Sequence, residues 1–371
     1  MHTLDRMLFV AFLRSYAIVL VSLLSLYIVI DLFTNLDDFA GRGSFSGMVR
    51  HIGKYYGVRV SQIFDRLSEA ICLLAAMFTV SWMQRNNELL PQLASGIPTH
   101  RVLRPVLLGS AFMIALGPIN QEYVIPMVAD ELQIPRDDPE LKREVEVRGS
   151  FDSTGVHIEG NAGQRKERKV RGFCVTFPEN GPSGMSHLAA EEAVYLPASQ
   201  PLAIPGHGNL SGGWILYQTT PETVPDASPD QLIPLGPRVY FLRTRDADFD
   251  SMTRNSNWHA FASTAKLREM LNRPDPRRLA HVAVLFHMRF TRPLVGILMV
   301  LLGLSIILRD QNRHVLISSG MCLAMCAVFY AGIYGCKFLG ENDLLAAPLA
   351  AWLPILFFGP VTLAYYDAMQ T

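Results

Sequence analysis

Asp65, Arg66 and Glu69 stand together at the start of an apolar run, 63–83. Charges at such a place are costly unless they face protein, water or headgroups. Asp65 and Glu69 are spaced i, i+4 and share a helix face, and Arg66 reaches the same turn. Two chemistries fit this cluster. One is a local ion pair of Arg66 with Glu69 or Asp65. The other is recognition of phosphates or sugars, with Arg59 and Arg66 as the anion partners, because a guanidinium grips phosphate through two parallel hydrogen bonds. A second polar stretch, 84–105, joins two apolar segments and carries Arg85, His100, Arg101 and Arg104. That basic content places it on the inner side of a membrane. Asn86 or Asn87 can cap a helix start, Glu88 suits a first turn, Leu89 and Leu90 are apolar, and Gly96 is a good stop. A short helix of about 86–97 follows from these helix signals. Pro91 is compatible with it only in the first turn, so the helix should begin late, near Leu90.

Other chemistry is absent from the sequence. No phosphate-binding Gly-x-x-x-x-Gly-Lys-Ser/Thr occurs, so the chain carries no P-loop ATPase of its own. Gly206-His-Gly208-Asn-Leu-Ser211 lacks the last glycine of a dinucleotide fingerprint. Ser263-Thr-Ala-Lys266 has the Ser-x-x-Lys spacing of penicillin-binding enzymes without their companion motifs. His281 and His287 lie six apart, off one helical face. Cys322 and Cys326 share a face but have no third ligand beside them, and read as small residues between helices. Cys174 is alone in the middle of the chain, so no disulfide framework forms there. No metal and no cofactor is expected on this chain, and zero net charge argues against a nucleic-acid partner.

The elements that position these residues follow from composition. The chain is 50% hydrophobic and only 18% charged, below the charge of an ordinary soluble protein. Apolar residues concentrate in roughly the first 125 and last 85 positions, which gives two membrane blocks around a polar middle. Spans are expected at 11–30, 63–83, 106–118 with an extension to 126 or beyond, 293–308, 315–335 and 345–365. The first is too long in its apolar part for a signal peptide and has no small-residue cleavage site, so it reads as retained, with its N-terminus inside. Asp31, Asp37 and Asp38 mark its outer end, and 309–313 is an inner turn. The middle, 140–255, changes period. Strand-like runs at 155–158, 172–177, 192–196, 213–217 and 238–242 are separated by turn residues. Phe173, Val175 and Phe177 alternate with Cys174 and Thr176. Phe173, Val175, Phe177, Trp214, Leu216 and Val239 are candidates for the interior of this unit, as plain core or as a lipid-accepting surface. Residues 263–272 read as a short amphipathic helix stopped by Pro274 and Pro276. The fold class is therefore an α-helical membrane protein of six spans, three (1–130) before and three (256–371) after an inserted all-β, jelly-roll-like domain.

Several motifs in this order carry a resemblance. They are Leu4-Asp5-Arg6 before an apolar helix, Gln84-Arg85 with Glu88 to Gly96, the helix at 263–271, His287-x-Arg289-Phe-x-Arg-Pro293-Leu, and Ala351-Trp352-Leu-Pro354. Together they resemble the lipopolysaccharide-export permeases, the LptF/LptG (YjgP/YjgQ) family. The resemblance implies a bacterial inner-membrane protein with both termini cytoplasmic and a periplasmic β domain. It implies a coupling helix, with Arg85, Glu88, Leu89, Leu90 and Gly96, that docks on a cytoplasmic ABC ATPase dimer, which alone uses ATP. It implies a second related six-span chain, or a second copy, around a lipid cavity. The lipid, lipopolysaccharide or a similar glycolipid, passes to a periplasmic bridge protein with a similar β domain. Some relatives have a basic residue at the outer end of the first span. Asp31 stands there in this chain, so Arg42, Arg59 or Arg66 is the expected substitute. The rival readings are a membrane-anchored β-domain assembly protein and a secondary transporter, for which no inverted repeat is visible.

Overall fold

Helix and strand periods alternate along the chain as two blocks of long helices flanking short strands. The computed structural model describes residues 3–39, 45–134, 136, 143–178, 186–204, 208–222, 231–254, 258–272, 279–309 and 315–368. Arg42, the loop at 179–185, Pro274, Pro276 and the inner turn at 310–313 lie outside the described residues. One unit, Met1–Leu132 with Asn257–Thr371, holds the long helices, and a second, Gln133–Ser256, holds the sheet.

The first unit opens with α1 (Thr3–Thr34) and α2 (Phe45–Arg85). The short α3 (Leu89–Ala94) leads to α4 (Thr99–Ile119). A π-helical segment at Asn120–Val124 continues into α5 (Ile125–Met127) and α6 (Ala129–Leu132). Pro126 cannot donate a backbone hydrogen bond, and a widened turn just before it accommodates the gap. Expectation and structure differ at α2, which is one unbroken helix of 41 residues and starts eighteen residues before the run expected at 63–83. Its N-terminal half is held by aromatic packing of Tyr55 and Tyr56 on Phe39, with Ile28 and Leu32 of α1 against them. Tyr56 also donates a 2.7 Å hydrogen bond to Asp31.

In the second unit the strands are β1 (Glu144–Glu146), β2 (Ser150–Phe151), β3 (His157–Glu159), β4 (Ala162–Gln164), β5 (Lys169–Phe177) and β6 (Ser186–Leu196). They continue with β7 (Leu202–Ile204), β8 (Gly208–Leu210), β9 (Gly213–Thr220), β10 (Leu232–Gly236) and β11 (Val239–Arg243). Pairing runs β1-β4-β5-β6-β9-β11-β10, with β2 and β3 attached through β5 and a separate β7-β8 pair. Every pairing is antiparallel. One edge of β5 serves two strands, β4 along residues 169–171 and β3 along 174–176. Gly172, at φ +63°, sits between these halves. There the in–out alternation slips by one, so Val170 and Phe173 both face inward.

Asp152 organises the turn that closes this core. Its Oδ1 accepts from the backbone N–H of Arg245 and Asp246 at 2.8 Å, and its Oδ2 from the Thr154 hydroxyl at 2.7 Å. Burial works to raise the Asp152 pKa, but these donors prevail and hold it below the ordinary aspartate value. The turn presents the Ala247 carbonyl, which accepts the Trp214 indole N–H at 2.9 Å. A short helix, α7 (Phe249–Thr253), follows, with Asp248 as its N-cap.

After this unit come α8 (Thr264–Leu271), α9 (Leu279–Arg309), α10 (Val315–Glu341) and α11 (Ala347–Ala368). Helix α9 starts fourteen residues before Pro293, where the span was expected to begin, and Pro293 lies inside it. Ring stacking of Phe329 on Phe358, 3.9 Å between centroids, ties α10 to α11. Among the described residues five helices are long and apolar enough to cross a membrane: Leu4–Thr34, Thr99–Met127, Ala280–Leu308, Leu323–Glu341 and Ala347–Ala368.

Candidate functional site

The acidic pair on α2 is engaged, but not by Arg66. Arg292 of α9 reaches across. Its Nε lies 2.5 Å from Glu69 Oε1, and its Nη1 lies 2.7 Å from Asp65 Oδ2. A second bond runs from Nη2 to the Asp65 carbonyl. Asp65 and Glu69 are both buried. Of the two chemistries open for this cluster, the pairing of Arg66 with these acids is not formed. The i, i+4 spacing that puts the carboxylates on one face also aims them at α9, while Arg66, one residue on from Asp65, turns outward and is exposed. The planar fork of Arg292 meets both carboxylates and the Asp65 carbonyl at once.

Around this triad lies a cavity of about 620 Å³. Its walls come from α2, α4, α9 and α10, with Ala260, Phe261 and Thr264 beside them. Ile114, Ile125, Met288, Val295, Met299 and Ile333 make most of it apolar. Arg66, Arg289, Arg292 and Lys337 bring positive charge, against Asp65, Glu69 and Glu122. Arg292 is part-buried and on the cavity wall. Arg59 is not on the wall. It stacks over the Tyr55 ring at 3.8 Å and donates to the Leu132 carbonyl.

The cavity's rim is a second polar knot. The Glu122 carboxylate accepts from the Thr264 backbone N–H at 2.9 Å. Arg289 donates to the Thr264 hydroxyl at 3.0 Å and to the Ala262 carbonyl, with Glu122 3.5 Å away. Gln121 donates to the Ala260 carbonyl at 2.8 Å. The start of α8 is thus fastened to the π-helical turn and to α9. Ser263 accepts from the Lys266 N–H at 3.3 Å, so the Ser-x-x-Lys spacing is a helix cap. Among the described residues no group of three or more metal-ligating side chains occurs.

At the other end of α2 the chain reverses twice. Asn87 has φ +56°, Glu88 N–H donates to the Met83 carbonyl and Asn87 N–H to Gln84. That is the Schellman closure of α2, so Asn87 ends one helix rather than starting the next, and Glu88 stands just ahead of α3 instead of in its first turn. Pro91 is the third residue of α3, within the first turn, where its missing donor costs nothing. Gly96, at φ +79°, closes α3 in the same way through Ile97 N–H to the Gln92 carbonyl. Leu89 is buried in the helical core, while Arg85 and Glu88 are exposed and Leu90 is 54% exposed.

Phe173, Val175, Phe177, Trp214 and Leu216 are brought together as the core of the sheet unit. Phe173 and Trp214 stand 4.8 Å apart between ring centroids. Val239 lies elsewhere, partly buried beside Leu210, Ile215 and Phe241. The residues that the sequence reading gave no role are Arg292, Arg289, Glu122 and Lys337. A signal existed for the first: two carboxylates on one face of a buried helix demand a cation.

A family model described as the lipopolysaccharide export system permease LptF/LptG matches residues 6–168 and 186–367. No curated protein matches the chain.

Proposed function

Because the chain belongs to the LptF/LptG family of lipopolysaccharide export permeases, we propose that it is one of two paired six-span chains that lift lipopolysaccharide, or a similar glycolipid, out of the inner membrane. Five of the spans are the apolar helices and the sixth is the inner half of α2. The observation that carries the pairing is uneven burial. Only 6% of the apolar window of α1 and 11% of that of α10 is buried, against 61% for α9. Helices α1 and α10 are the faces left for lipid and for a second chain, and the transported lipid moves along them.

Helix α3 is the coupling helix. Leu89 anchors it to the helical core, while Leu90, Glu88 and Arg85 remain to meet a cytoplasmic ABC ATPase dimer, which supplies the hydrolysis. Basic residues Arg85, His100, Arg101 and Arg104 keep this end, and both termini, inside. The sheet unit is then periplasmic, a jelly-roll-like platform that hands lipid to a bridge protein of similar build. Phe173, Val175, Phe177, Trp214 and Leu216 meet lipid there only when the sheet opens, and Val239 lies nearer its surface.

The test is Glu88→Lys and Leu90→Asp in the reconstituted complex. Both should reduce recovery of the ATPase with the permease, and ATP-dependent release of glycolipid from proteoliposomes should fall with it. Undiminished recovery and release would remove α3 from the coupling role. Release that never depends on ATP would favour an anchored assembly protein.

A further inference from the structure

Two stretches of chain join the helical unit to the sheet unit, and one polar cluster holds both. The chain leaves the helical unit after Leu132 and re-enters it at Asn257. The outgoing stretch runs from the π-helical turn Asn120–Val124 through α5 and α6. Three consecutive residues of that turn reach three different places. Asn120 is buried and donates to the Ser61 carbonyl of α2 at 2.9 Å. Gln121 donates to the Ala260 carbonyl of the returning stretch. Glu122 accepts the Thr264 N–H at the start of α8, and Arg289 of α9 donates to Thr264 and Ala262 beside it. A π turn is rare in a helix and often stands at a functional point.

Helix α2 holds the far end of the outgoing stretch as well, because Arg59 donates to the Leu132 carbonyl at 3.3 Å. Arg59 and Ser61 lie within one turn of α2, yet the residues they hold are twelve positions apart. A straight helix over that interval would carry Leu132 about 18 Å from Asn120, beyond the reach of one arginine. The stretch instead bends at Val128, whose φ of −106° and ψ of 9° leave the helical region, and both the π turn and α6 pack on α2. On the other side, Arg289 stands one turn before Arg292, which pins α9 to α2. Helices α2 and α9 and both connections are thus one hydrogen-bonded body. Between packed spans, where apolar burial gains little, such bonds are what resist separation.

We infer that this cluster is a collar that carries reorientation of α2 and α9 into the two connections of the sheet unit. Arg59, Asn120, Gln121, Glu122 and Arg289 are its positioning residues, and they act on the lipid's passage without touching the lipid. The source of the reorientation is the ATPase docked at α3, as proposed above. Movement reaches the outgoing stretch directly through Ser61 and Arg59, and the returning stretch through Gln121, Glu122 and Arg289. Clamped together, the two connections move as one, and the sheet unit follows the helices instead of trailing on two independent linkers.

The reconstituted complex carrying Gln121→Met and Glu122→Gln, which keep the size of both side chains, is read for ATPase recovery, ATP hydrolysis and glycolipid release. Recovery and hydrolysis should match the unmodified complex. Release should fall about tenfold, the scale of a lost hydrogen bond to a charged group, so ATP consumed per lipid rises by the same factor. Unchanged release, or a parallel fall of all three readouts, overturns the inference. Should the double variant fail to accumulate, a short thiol crosslinker decides, joining Gln121→Cys to Ala260→Cys in a chain whose five native cysteines are replaced. Crosslinking should restore release. Release that is lost on crosslinking means that the two stretches must part, and overturns the collar. Hydrogen–deuterium exchange of the complex without nucleotide separates the collar from the proposed function. Asn120→Leu cuts only the link to α2, and amides at 258–264 should nevertheless exchange about tenfold faster, because the links open as a unit. Unchanged exchange there means that the links act separately and overturns the collar. Exchange that spreads in this way, in a complex whose unmodified form never releases lipid with ATP, would overturn the proposed function and leave the collar standing.

Discussion

The two units solve the same packing problem against different surroundings. In the sheet unit large apolar side chains turn inward, and Phe173, Val175, Trp214 and Leu216 have no exposure at all. In the helical unit apolar side chains cover the outside as well: Phe33 is 75% exposed, Leu323 69% and Phe357 68%. What the helical unit hides instead is charge, in the Asp65–Glu69–Arg292 triad and the Glu122–Arg289 knot. Apolar burial drives the sheet unit together because water surrounds it. Lipid tails are as apolar as leucine, so burying leucine between spans gains little, and close packing with hydrogen-bonded polar groups must hold the helices. The contrast teaches that one chain needs two rules for what counts as its core.

The largest expected effect breaks the helical side of that comparison. Arg292→Leu leaves two buried carboxylates without a cation, at about 3–5 kcal/mol. The variant should accumulate poorly and lose heat resistance in detergent, while a protease-resistant fragment of the sheet unit persists. Replacing Asp65, Glu69 and Arg292 together by leucine should restore much of the loss, because the neutral set has no unpaired charge. Failure of this rescue would show that the triad does more than balance itself. Next comes Leu216→Ala, which should cost the sheet unit roughly 2–4 kcal/mol through the cavity it opens. Its proteolytic fragment should vanish while the helical unit still folds, and no neutralising partner substitution should exist for it.

The smallest effect sharpens the comparison by pH. Asp152 has a depressed pKa in the folded unit, so its contribution is fully present above the unfolded aspartate value of about 3.9. It is lost as pH falls through the lower folded value. Asp152→Asn should remove about 1.5–3 kcal/mol at neutral pH, the scale of hydrogen bonds to a charged acceptor. It should also flatten the acid limb of sheet unfolding followed by Trp214 fluorescence. An unchanged acid limb would mean that another carboxylate governs it.

Local pattern carried the elements into view and left their pairings hidden. Period two marked Phe173, Val175 and Phe177 as one face of β5, although the strand starts three residues earlier than expected, beyond the slip at Gly172. Helix α8 was legible from Ser263 to Asn272 because both ends carry capping residues. Asn87 misled because the same side chain suits the start of one helix and the left-handed end of another. Arg292 stayed hidden for a different reason. Its partners are 223 and 227 positions away, and no local rule spans that interval. Arg66, adjacent in sequence, was the nearer and wrong choice.

Helix α2 has a mechanical consequence. At 1.5 Å per residue its 41 residues make a rod of about 60 Å, roughly twice the hydrocarbon thickness of a bilayer. No proline interrupts it, and its glycines, Gly47, Gly53 and Gly57, all lie in its first thirteen residues. Its C-terminal end, at Arg85, runs directly into the Asn87 reversal and α3. The fulcrum is the level of Arg292, where two carboxylates pin the rod to α9. A tilt of about 10° about that level would carry the tip at Phe45, 20 to 24 residues away, through roughly 5–6 Å. A push of a few ångströms at the Arg85 end would thus arrive at Phe45 reversed in direction and similar in scale.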